Sequence, residues 1–79
     1  MTYELIKKCI DQWDPIELLE FCPRDEYDIL SMSIYMKWSK DDNDLAKTIY
    51  DTFYNAFGKD TFNKSYEDCL YIAKLINSN

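Results

Sequence analysis

The residues of this chain with the most capacity for chemistry are its carboxylates, and they come in clusters. The stretch WDPIELLEFCPRDEYDIL, residues 13 to 30, holds six of them among tryptophan, leucine and isoleucine. Asp25, Glu26 and Asp28 are close enough in sequence to work as a paired acid and base, but such a pair needs surroundings that hold one carboxyl protonated. No neighbouring residue type supplies that bias. Asp41, Asp42, Asn43 and Asp44 form a second cluster, rich in the oxygen ligands that calcium prefers. The alternating ligands, turn glycine and distal glutamate of a calcium loop are missing there. Both clusters read more simply as the solvated starts of helices.

Other chemistry is excluded by residue type. There is no histidine, which removes the commonest general base, the usual metal ligand and every triad built on imidazole. A single glycine rules out a phosphate-cradling loop. A DNA-reading helix would need basic residues towards the phosphates, whereas the candidate helices here open on Asp25-Glu26 or on Asp41 to Asp44. Lys7-Lys8 is an isolated basic pair on the outer face of the first helix and reads as solvated. Tyr50, Phe53, Tyr54 and Phe57 recur at helical steps, a pattern of core packing rather than of a base-stacking platform. The expectation is a protein with no catalytic residues, no metal and no cofactor, and hence not an enzyme.

The charge balance turns attention to partners. Fifteen acidic residues against nine basic ones give a net charge of −6 in 79 residues. That sign repels nucleic acid and anionic lipid and favours a basic protein partner. Cys9, Cys22 and Cys69 are odd in number, with spacings of 13 and 47, and make neither a disulfide framework nor a metal motif. They read as buried free thiols of a cytoplasmic protein. No apolar run is long enough to span a bilayer, and MTYELIKKC lacks the apolar segment of a signal peptide.

The elements that position these groups are helical. Thr2 caps a first helix to about Gln12, with Tyr3, Ile6, Cys9, Ile10 and Trp13 as its apolar stripe and Lys7, Lys8 and Asp11 facing away. Asp14 is placed to cap a short helix over residues 15 to 21, with Pro15 at its first position and Glu17 completing a capping box. Pro23 ends it and opens the next helix, which runs to about Trp38. There Tyr27, Leu30, Ile34 and Trp38 make one apolar face, and Ile29, Met32 and Met36 make nearly the opposite one. A helix apolar on two sides either sits centrally or carries a partner surface, and the central position is the expectation.

After the polar break SKDDND, a third helix carries Leu45, Ala46, Ile49, Phe53, Ala56 and Phe57 inward, and Gly58 ends it with a left-handed residue. Ser65 and Asp68 form a capping box for the last helix, whose inward residues are Tyr66, Cys69, Leu70, Ala73 and Ile76. No segment alternates with period two. The fold expected is one all-α domain over residues 1 to 79, a compact bundle of four main helices plus one short helix.

Between Asp11 and Asp28 stand seven acids against Arg24 alone. Capping explains Asp14, Glu17 and Asp25; no cap needs Glu20, Glu26 or Asp28. The partner-binding residues expected are Glu17, Glu20, Asp25, Glu26 and Asp28, with Tyr35, Tyr54 and Tyr71 at the margins as aromatic anchors.

Two likenesses bear on this surface. W-D-P-I-E-L-L followed by C-P-R-D-E-Y-D resembles a family of short, all-helical bacterial proteins of unknown function with a W-D-P-I-x-L-L segment, a small residue, proline and D-E-Y. Phe57-Gly58 matches a later F-G of that family, and the likeness covers most of residues 10 to 58. Phe21-Cys22 departs from it, standing where smaller residues precede the proline. The family implies a helical fold and no activity. In size, acidity and helical make-up the chain is also similar to immunity proteins that bacteria encode beside secreted or contact-delivered toxins. That likeness implies a stoichiometric inhibitor occluding the basic cleft of a nuclease (RNase) toxin domain. The alternative is a non-catalytic interaction module, or a homodimer formed through Ile29, Met32 and Met36.

Overall fold

The structure, a computed structural model, describes residues 2–15 and 25–78, with Asp25 and Glu26 described by their backbone alone. Four helices follow in chain order: α1 (Tyr3–Trp13), α2 (Asp25–Met36), α3 (Asp42–Phe57) and α4 (Tyr66–Asn77). There is no strand among the described residues, and the protein is an all-α bundle. The short helix expected over residues 15 to 21 lies almost wholly outside the described residues. Each helix packs on its neighbour in sequence, most closely α3 on α4 and α1 on α2, and α4 closes the ring against α1.

Local chemistry sets the boundaries. Thr2 accepts the Leu5 amide at 3.2 Å and starts α1 as expected. Asp41, in extended conformation, accepts the amides of Asn43 and Asp44 at 2.8 and 3.1 Å, so the DDND cluster is a helix start. Ser65 and Asp68 form the reciprocal capping box. Gly58 ends α3 at φ 78, ψ 167. The positive φ is the one expected, but ψ is extended, placing it in a region that is essentially glycine-only rather than left-handed helical. Asp14 departs from its expected role. It is the C-cap of α1 with a left-handed backbone (φ 43, ψ 61), whereas an N-cap needs an extended one. Its short polar side chain tolerates that conformation. The carboxylate accepts the Tyr27 hydroxyl at 2.6 Å, tying the end of α1 to α2.

The core is aromatic at its centre. Phe53, fully buried, has Trp13, Tyr27, Phe57 and Phe62 around it at centroid distances of 5.7, 6.0, 6.1 and 5.3 Å. Ile6, Ile10, Ile34, Leu45, Ala46, Ile49, Cys69, Ile72, Ala73 and Ile76 complete it. Phe62 is 2% exposed although it lies in the α3–α4 loop, where helical periodicity gives no signal for it. On α4 the buried row is Cys69, Ile72, Ala73 and Ile76, so the expected inward set shifts. Leu70 is only half-buried and Tyr66 exposed, its hydroxyl donating to the Asn43 carbonyl at 3.0 Å. Ala56 is likewise exposed and Phe57 half-buried. At the far end Trp38 Nε1 donates to Asn77 Oδ1 at 2.8 Å, while Asn77 Nδ2 reaches the Ser39 and Lys40 carbonyls and the Asp42 carboxylate.

Phe53→Ala removes the ring on which α1, α2, α3 and the α3–α4 loop converge. A large-to-small change of this kind costs about 3–5 kcal/mol, and a domain of this length has roughly 4–12 kcal/mol in all. Urea unfolding followed by far-UV circular dichroism should therefore show the variant's midpoint falling steeply, with a large share of the parent's stability lost. A loss below about 1 kcal/mol would show that the ring is peripheral.

Candidate functional site

The acids between residues 11 and 28 do not form one free patch. Lys7, expected to be solvated, pairs with Asp11 Oδ2 at 2.6 Å and with Asp28 Oδ1 at 3.1 Å. The second contact is close enough for an ion pair but is not aligned as a hydrogen bond. Tyr3 donates its hydroxyl to the Asp28 carbonyl at 3.3 Å, and its ring meets Tyr35 edge-on at 6.3 Å. The row Tyr3, Lys7, Asp11 of α1 thus lies along Asp28 and Tyr35 of α2, making a polar seam. Lys7 and Asp11 face it rather than solvent, because α1 buries a second stripe one turn-step round from Ile6 and Ile10.

The seam shifts its own members. Contact with Asp11, then Asp28, raises the Lys7 ammonium above the ordinary 10.5. Burial first, then the Asp28 charge, raises the Tyr3 phenol. Two carboxylates share one ammonium, and Asp11 Oδ1, Asp28 Oδ1 and the buried Ser31 hydroxyl accept or donate no hydrogen bond there.

For the residues expected to touch a partner, the outcome is therefore divided. Asp28 is paired with Lys7 at 3.1 Å while its side chain stays 38% exposed. Glu17 and Glu20 lie outside the described residues. Asp25 and Glu26 occupy the first turn of α2, where acids suit the helix dipole. Tyr35 and Tyr54 are each 39% exposed, one packed edge-on to Tyr3 and the other stacked on Tyr50 at 5.8 Å. They stand on different helices. Tyr71 is the most exposed tyrosine, on α4.

What the structure adds is the outer face of α2. Tyr27 and Ile34 are fully buried, as the inner face requires, while Ile29, Met32 and Met36 are 71%, 42% and 78% exposed. This corrects the central placement expected for α2. Four helices in a ring leave each one an outer side, and no fifth layer covers this one among the described residues. Residues at i, i+3 and i+7 share a stripe, with Tyr35 along its edge. Single exposed apolar residues are ordinary; here three large ones form a row on one face. The sequence carried this signal in the opposed apolar face, and it was the choice between burial and exposure that periodicity left open.

No grouping of three or more potential metal ligands occurs among the described residues, and no helix there is long and apolar enough to cross a membrane. Cys9 is half-buried and Cys69 buried, both as free thiols; Cys22 lies outside the described residues. Burial pushes the Cys69 thiol up to about 12, with the Asp68 charge adding to it. Compared with known proteins, the chain matches no family model, no curated protein and no solved structure.

Two outcomes follow from these groups. Lys7→Met should destabilise the fold by about 1–3 kcal/mol, between the values for exposed and buried ion pairs. Because the folded Lys7 is raised, its contribution is complete below the ordinary lysine value of 10.5 and is lost as pH climbs through the higher folded one. The variant's urea midpoint should therefore fall less steeply than the parent's on the alkaline side, and an identical alkaline slope would remove Lys7 from the seam. In a Cys22→Ser background, a thiol reagent near pH 8 should modify Cys9 well before Cys69, which reacts only on unfolding. Equal rates would contradict the burial of Cys69.

Proposed function

We propose that this chain is a non-catalytic protein-binding domain that meets its partner through the outer face of α2. The observation that carries this reading is the exposed row Ile29, Met32 and Met36, bordered by Tyr35 and preceded by the acidic first turn at Asp25 and Glu26. Apolar area of this kind provides contact free energy at roughly 25 cal/mol per Å². Acids beside it speed encounter with a basic surface and set its orientation. Methionine, unbranched and polarisable, adapts to an opposing surface without a fixed shape.

The specific form we infer is an immunity protein acting in the cytoplasm. It would neutralise a toxin of a bacterial competition system, with a nuclease domain as the target. A nuclease needs a cationic cleft to hold phosphate, and an acidic domain that seats its apolar face beside that cleft blocks it by occlusion, with Glu17, Glu20, Asp25 and Glu26 facing the basic wall. The net charge of −6 supports this choice of partner over nucleic acid itself.

The test is reconstitution with the C-terminal domain of the toxin encoded next to the gene. A one-to-one complex and loss of nuclease activity at equimolar inhibitor are expected. Met36→Lys should weaken that complex by roughly tenfold or more, which corresponds to about 1.4 kcal/mol. A complex indifferent to both Ile29→Lys and Met36→Lys would move the contact off α2, and turnover of a substrate by the purified chain would end the non-catalytic reading.

A further inference from the structure

We infer that in the absence of another partner the outer face of α2 is covered by a second copy of this chain, the two α2 helices crossing antiparallel about Met32. This rests on the reading of that face as a contact surface and assigns its resting occupant. The face is self-complementary in two ways. Its apolar row is nearly symmetric about Met32: Ile29 lies three residues before it and Met36 four after, so a two-fold axis there sets Ile29 of one copy on Met36 of the other and Met32 on Met32. Its charges are opposed end to end. Asp25 and Glu26 occupy the first turn of α2, while Lys37 and Lys40, both exposed, follow its last residue. The same two-fold axis brings the acidic start of each helix to the basic exit of the other, and sets the helix dipoles antiparallel.

A parallel arrangement would align acid with acid and lysine with lysine. The net charge of −6 on each copy opposes pairing, but beyond about 8 Å at physiological salt such repulsion is largely screened, so the local matching of the two helix ends decides. Ile29, Met32, Tyr35 and Met36 together present on the order of 400 Å², about half of the ~800 Å² per partner in a standard interface. The pair is accordingly weak and reversible, as a resting cover must be if a tighter partner is to displace it.

Sedimentation velocity of the full chain over a range of concentrations tests this. The expected result is a reversible shift from one chain of 9.5 kDa towards two as concentration rises, abolished by Met36→Lys with the helical circular dichroism unchanged. Two further variants fix the geometry: one carrying Asp25→Lys and Glu26→Lys, the other Lys37→Glu and Lys40→Glu. Each alone should self-associate roughly tenfold more weakly, because antiparallel pairing then sets like charges together at both ends, whereas a parallel pair, already like against like, would be little changed. An equimolar mixture should associate at least as well as the parent, since its opposite charges meet at both ends. A chain that stays monomeric at every concentration, a dimer indifferent to Met36→Lys, or a mixture no better than its components overturns the inference. Monomeric behaviour combined with partner binding that Met36→Lys still weakens would overturn self-pairing alone and leave the contact reading standing.

Discussion

Everything in this bundle turns on how one ring, Phe53, is surrounded. A chain of 79 residues has little interior, and this one closes it with aromatic groups drawn from separate parts of the sequence: Trp13 from the end of α1, Tyr27 from α2, Phe57 from the same helix and Phe62 from the loop beyond it. Aromatic side chains bring large area at small entropic cost. The contacts are edge-on to Trp13 and Tyr27 and stacked on Phe57 and Phe62, so the ring holds orientation as well as distance. The aliphatic residues of α3 and α4 then pack outward from this centre.

That arrangement explains the polar character of the α1–α2 seam. Tyr27 spends its ring on Phe53 and its hydroxyl on Asp14, so α2 is anchored at its first turn by the aromatic centre and the end of α1 together. Further along, the two helices meet through Tyr3, Lys7, Asp28 and Tyr35. A polar seam contributes less area than an apolar one, but it constrains register, since Lys7, held at Asp11 within α1, must also reach Asp28 on α2. The acids that looked like a free electrostatic surface are partly recruited to this task. Asp11 and Asp28 share a lysine, and Asp14 holds a tyrosine.

Much of the fold was legible in the sequence where one residue decides one feature. Thr2, Asp41 and the Ser65–Asp68 pair mark helix starts because a side-chain oxygen three or fewer residues from free amides has a single obvious use. Gly58 marks an end because its backbone lies where other residues are strained. The stripes of α1 and α3 follow from spacing. What could not be read depends on three dimensions at once. Phe62 is core although it is in a loop, since only the folded α3–α4 turn brings it under Phe53. Asp14 caps the end of α1 with a left-handed backbone while its carboxylate takes the Tyr27 hydroxyl, a partner thirteen residues away that local sequence does not name. Lys7, read as solvated, pairs instead with Asp28 across the seam, a contact between residues twenty-one positions apart.

The same reasoning gives the outer face of α2 its weight. A helix that buries Tyr27 and Ile34 and turns Asp28 and Tyr35 to α1 has met its structural needs. Its remaining side is largely exposed, a position where serine, lysine or glutamate is the ordinary choice. Instead that side carries Ile29, Met32 and Met36, three large apolar groups on one stripe in a chain otherwise liberal with charge. Exposed apolar rows invite association, and this row is the feature on which the proposed contact rests. Among the described residues, α2 is held by one face, while the other carries the exposed row between an acidic helix start and the lysines beyond its end.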